Sequence, residues 1–155
     1  MTLTPEEKRE IGEEQRRYPD RRAVCVEALK IAQRNRGWIS DETLRELADH
    51  LGMTADELDG VATFYNMIFR HPVGRHVIFL CDSVSCWVMG EEALRARLKA
   101  RLGIDFGETT SDGEYTLLPV ACLGACEHAP ALLLDRELHG DLTETKVDSL
   151  IGRRG

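Results

Sequence analysis

Four of the five cysteines in this 155-residue chain fall in two close pairs. Cys81-Asp82-Ser83-Val84-Ser85-Cys86 puts four residues between its thiols, and Cys122-Leu123-Gly124-Ala125-Cys126 puts three. Each pair directly follows a strand-like stretch, where a loop of that length lets two sulfurs converge on one metal. Gly124 supplies the backbone freedom that so tight a turn requires. Ser83, Ser85 and the backbone N–H groups of both loops can donate hydrogen bonds to sulfur. Four thiolates are the complement of a [2Fe–2S] cluster, and equally of a structural zinc site. Zinc knuckles favour two intervening residues, which neither loop has, and the Cys-x-x-Cys of thioredoxin-type redox sites is absent. Spacing favours iron–sulfur and leaves zinc open.

The compartment bears on that choice. No apolar run approaches the ~20 residues needed to span a bilayer. The longest, Val77 to Leu80 and Ala131 to Leu134, have strand length. Thr2-Leu3-Thr4-Pro5-Glu6-Glu7-Lys8 has no apolar core and early acids, so it reads as neither a signal peptide nor a transit peptide. A cytoplasmic location is expected, where cysteines serve as thiols or metal ligands rather than disulfides. The formal charge of −7 opposes binding to phosphate backbones. Arg21-Arg22 and Arg153-Arg154 are too short to reverse it. Neither a nucleic-acid partner nor direct membrane insertion is expected.

The pattern changes once along the chain. Before His71-Pro72-Val73-Gly74 it is helical. Thr4-Pro5-Glu6-Glu7 is a capping box with Pro at the first helical position. A second helix follows Asp20, with Val24, Ala28, Ile31 and Ala32 on one face, and stops at Gly37. Ser40 caps a third, with Leu44, Leu47, Ala48 and Leu51 at helical spacing. Thr54-Ala55-Asp56-Glu57 is another capping box and opens a fourth. After Gly74 the reading is a strand from His76 to Cys81, apolar on both faces as suits a covered central strand. A helix follows from Glu91 with Leu94, Leu98 and Leu102. Strands come next at Tyr115 to Val120 and Ala131 to Asp135, and Thr143 caps a last helix. The expected class is α+β: an N-terminal helical bundle, residues 1–73, followed by an α/β sandwich, residues 74–155.

Other residues that could carry chemistry have plainer readings. Cys25 lies inside a predicted helix and reads as a packing thiol. Trp87 either shields the metal site or sits in the core. His50, His71, His76, His128 and His139 are scattered. His128 is near the second cysteine pair, but a Rieske centre needs two histidines, and four cysteines already complete the site.

Two ferric ions, two sulfides and four thiolates leave a net charge of minus two, which reduction takes to minus three. Such a site accepts one electron at a time. No Gly-x-Gly-x-x-Gly and no Walker A loop occurs here. The chain itself is expected to bind neither a dinucleotide nor a flavin.

The Cys-x4-Cys and Cys-x3-Cys pairs resemble those of the thioredoxin-like [2Fe–2S] ferredoxins. More closely, the chain resembles the E-subunit family of bacterial NADH:quinone oxidoreductase (respiratory complex I). Gly37-Trp38-Ile39, Gly60-Val61-Ala62-Thr63-Phe64-Tyr65, Pro72-Val73-Gly74, Ala129-Pro130 and Asp141-Leu142-Thr143 carry the likeness nearly end to end. It implies a thioredoxin-like second domain, with Cys81 and Cys86 on one iron and Cys122 and Cys126 on the other. It also implies a subunit of a quinone-reducing translocase, without independent catalysis. Its partner would be a larger flavoprotein subunit carrying FMN, the NADH site and a [4Fe–4S] cluster. Both would lie with other peripheral-arm subunits on the cytoplasmic side of the inner membrane. The cluster of this family is proposed to hold one electron transiently, off the main path to quinone. Related subunits serve NAD-linked hydrogenases and formate dehydrogenases, and a zinc-stabilised interaction module is the reading from a different class. The helical part would grip the partner or simply cover the sheet.

Overall fold

The computed structural model describes residues 2–152; Arg153 and Arg154 lie outside them. The chain divides into two units, Met1–Pro72 and Val73–Gly155.

The first unit is helical: α1 (Pro5–Gln15), α2 (Cys25–Arg36), α3 (Asp41–Leu51) and α4 (Ala55–Phe64). Side-chain caps set where three of them begin. Thr4 and Thr54 each close a reciprocal capping box, with Glu7 and Glu57, and the Ser40 hydroxyl accepts from the Thr43 N–H. The turn after Asp20 departs from the expected α-helix, since Arg21–Val24 is a 3-10 turn. The Asp20 carboxylate takes the Arg22 N–H while its carbonyl takes that of Ala23, which tightens the chain before α2 starts. The expected stripes meet in one core around Ile11, Val24, Leu29, Leu47 and Leu58, and Cys25 packs half-buried against it. An ion pair joins the start of α1 to the end of α2: Arg36 grips both carboxylate oxygens of the buried Glu7, at 3.0 and 2.8 Å.

The second unit is built on a five-stranded sheet in the order β2-β3-β1-β4-β5. Its strands are β1 (His76–Cys81), β2 (Glu108–Thr109), β3 (Tyr115–Val120), β4 (Leu132–Leu134) and β5 (Glu137–His139). As its two apolar faces require, β1 is central, paired parallel to β3 and antiparallel to β4. The parallel pair needs a crossover, and the segment carrying α6 (Glu91–Leu102) supplies it. Pro119 sits within β3 beyond the reach of β2, which pairs only with Thr116 and Leu117, so its missing N–H breaks no ladder there. Ile78, Leu80, Leu117, Leu132 and Leu134 pack with Leu94, Leu98 and Val147 of α6 and α7 (Glu144–Gly152). The short strands β2 and β5 have too few residues to show an alternating pattern, and sequence reading missed both.

Candidate metal centre

Strand pairing brings the two cysteine segments together. Cys81 ends β1 and lies opposite Val120 at the end of β3, so both cysteine segments leave the same end of the sheet. The Asp82 N–H donates to the Val120 carbonyl at 3.1 Å, and the Cys81 N–H to that of Ala131, also at 3.1 Å.

The first segment is not the open loop that spacing suggested. Val84–Val88 forms a short helix, α5, and Cys86 faces inward from it. Cys81 and Cys86 are both buried. Their sulfurs are close enough to interact, and the Cys81 sulfur lies 3.4 Å from the Ser83 hydroxyl. Burial opposes ionisation of Cys81, yet the Ser83 hydroxyl and the backbone N–H groups of Ser83 and Leu123 outweigh it and hold this thiol below its ordinary pKa. Burial, followed by the neighbouring Cys81 sulfur, pushes the Cys86 thiol up, with the Ala131 N–H opposing. One thiol of the pair is thus prepared to ionise first.

The second segment is exposed at both Cys122 and Cys126. Gly124 adopts φ +73°, as the tight turn demands, and donates its N–H to the Cys122 sulfur at 3.3 Å. The two sulfurs lie 4.0 Å apart. Two sulfurs on one tetrahedral ion, with bonds of about 2.3 Å, stand about 3.8 Å apart. Cys126 opens a 3-10 turn, Cys126–His128. Leu123, between the second pair, aims its N–H at Cys81 of the first, so the pairs are neighbours. Among the described residues no three His, Cys, Asp or Glu side chains gather about one ion position. The arrangement is two pairs, each able to hold one iron, with amide donors around the sulfurs. This donor set fits a [2Fe–2S] cluster.

The family model for thioredoxin-like [2Fe–2S] ferredoxins matches residues 11–154. The chain belongs to this family. It is 46% identical over 151 residues to the E-subunit of NADH-quinone oxidoreductase from Pseudomonas aeruginosa PAO1 and, equally, to that from Escherichia coli K12. In both cases the match covers 97% of this chain and 91% of the relative. Among solved structures, it resembles an NAD+-reducing [NiFe]-hydrogenase in the H2-reduced state, with a TM-score of 0.69 and 28% identity. That match covers 81% of this chain but only 21% of the hydrogenase chain.

The remaining residues sort simply. Trp87 is exposed and donates from its indole to Glu92 at 3.1 Å, so it is no core aromatic. His76 is bound to Asp135 at 2.5 Å and His128 to Asp141 at 3.0 Å. The amides of Leu123 and Ala131 escaped sequence reading because main-chain donors carry no residue signature.

Proposed function

We propose that this chain is the electron-transferring E-subunit of an NADH–quinone oxidoreductase, holding a [2Fe–2S] cluster on Cys81, Cys86, Cys122 and Cys126. The observation that carries the reading is the meeting of two thiol pairs at one end of the sheet, where the parallel pairing of β1 with β3 sets Cys81 opposite Val120. Family membership over residues 11–154 supports it. When bound, such a cluster exchanges one electron at a time, here with the FMN of a partner flavoprotein that takes hydride from NADH. Residues 74–155 carry this chemistry and residues 1–73 form the accompanying helical module. With the other peripheral-arm subunits, the pair would work on the cytoplasmic face of the membrane; no helix among the described residues is long and apolar enough to cross it.

The chain's own groups do two things at this site. The N–H groups of Ser83, Leu123, Gly124 and Ala131 point positive charge at sulfur, and so offset the negative charge that reduction adds. Burial of Cys81 and Cys86 keeps water from one side, while the exposed Cys122 and Cys126 leave the other open to a partner.

Metal content tests the reading directly. Protein purified without oxygen should be brown, with about two irons and as many acid-labile sulfides per chain, and a one-electron EPR signal on reduction. A colourless preparation holding one zinc would overturn it. Cys122→Ser should abolish or distort the signal; an unchanged spectrum removes Cys122 from the ligands.

A second reading has its own support in the hydrogenase likeness: an equivalent subunit of an NAD-linked hydrogenase. The higher identity and near full-length match to the quinone-reductase relatives argue for the first. Recovery of the native complex decides between them: quinone-reducing membrane subunits would support the first and a nickel subunit the second.

A further inference from the structure

The turn that carries Cys126 does not stand on its own. The segment after β5 presses on the turn's last residue, His128, at three points and on Pro130 just beyond it at a fourth. The Asp141 N–H donates to the His128 carbonyl at 2.6 Å, and the Leu142 N–H donates to that of Pro130 at 3.1 Å. The Asp141 carboxylate lies 3.0 Å from Nδ1 of His128. Gly140 closes the contact. A Cβ placed there would stand 2.5 Å from the His128 Cβ and 2.8 Å from the His128 carbonyl oxygen. Gly140 does not have the left-handed φ that would by itself demand glycine. Only the close approach excludes a side chain. Neither opposing atom can rotate away, because one is backbone and the other is fixed to it. Asp141 holds φ +50°, and Lys146 of α7 donates to its carbonyl at 2.7 Å, so the pressing segment is itself anchored.

We propose that Gly140 and Asp141 are positioning residues for the metal centre, setting where the Cys126 sulfur stands relative to its pair. The inference rests on the cluster reading above and extends it to residues that touch no sulfur. A metal ligand is only as well placed as the groups behind it. Outer contacts of this kind fix ligand orientation, and their loss weakens metal binding by roughly 10-fold or more. Here the turn Cys126–His128 is three residues long and has its own bonds only from His128 to Ala125 and from Ala129 to Cys126. Without the Gly140–Asp141 brace it could relax outward, and the sulfur would go with it.

The test uses the full-length protein with its cluster, in three variants. Gly140→Ala adds the excluded Cβ. Asp141→Ala removes the carboxylate, at a φ of +50° that also disfavours alanine. Asp141→Asn keeps an oxygen acceptor and tolerates the same positive φ. Two readouts are taken: the EPR spectrum and midpoint potential of the reduced centre, and the rate of iron release to a chelator. Melting temperature is recorded beside them. Gly140→Ala and Asp141→Ala should shift the EPR signal and potential and speed iron release roughly 10-fold or more, while Asp141→Asn restores both toward wild type. Variants that melt earlier with an unchanged spectrum, potential and release rate overturn the proposal, because the brace would then be merely structural. If Gly140→Ala gives no folded protein, Asp141→Ala decides by the same criterion. Absence of a two-iron signal in the wild-type protein would defeat the cluster reading itself, an outcome distinct from unchanged variants of a protein that has the signal.

Discussion

At the scale of single residues, the second cysteine segment depends on a conformation that most side chains resist. Gly124 stands at φ +73°, and a Cβ there would meet nothing within 4 Å. The cost of Gly124→Ala is therefore conformational, about 1 kcal/mol. It should appear as a modest drop in melting temperature with faster loss of iron, and equal iron retention in both proteins would contradict it. Glu7 is a different case. The Arg36 guanidinium, against the cost of burial and with help from the Thr4 N–H, holds its carboxyl down to about 2 from an ordinary 4.5. The folded pKa is depressed, so the stabilisation is complete above about 4.5 and disappears as pH falls through that window toward 2. It is on the order of 3 kcal/mol at neutral pH. In acid titrations followed by denaturant unfolding, wild type and Glu7→Gln should differ most above pH 5 and converge as pH falls toward 2. A gap that stays constant with pH would show that the ion pair contributes nothing.

At the scale of elements, β1 joins the core to the site. Leu80 is fully buried and is followed at once by Cys81. Truncating it to Ala leaves a cavity in the central strand and should cost about 2–5 kcal/mol in chemical unfolding. A loss below 1 kcal/mol would mean the strand collapses around the gap. Most helices were legible because their ends carry side-chain signals: the boxes at Thr4 and Thr54, the cap at Ser40, the stop at Gly37. Two kinds of element were not. Helix α5 has no side-chain cap bond at Ser83, and its five residues are too few for a repeating stripe. Strands β2 and β5 exist because longer neighbours offer them an edge, a cause that lies far away in sequence.

For the whole molecule, the two units have separate cores with no shared member, one around Leu29 and Leu47, the other around Leu80 and Leu117. Ligand binding stabilises the part that holds the ligand. Removing iron with a chelator should therefore raise amide hydrogen exchange in the second unit, most at the end of β1, in α5 and across residues 121–131. Protection in α1 to α4 should be unchanged, and equal loss in both units would refute this division.

The two cysteine pairs, their spacing and the switch from helical to strand pattern near Gly74 were all written in the chain. Each depends on residues close together in sequence, where local stereochemistry acts directly. Tertiary structure alone decided that the pairs become neighbours, because the parallel pairing of β1 with β3 aligns Cys81 with Val120. It also decided which thiols are buried and which exposed, and which amides face them. The contact of Gly140 with His128 belongs to the same class. A glycine chosen for closeness looks no different in sequence from one chosen for a turn, and only the folded backbone distinguishes the two.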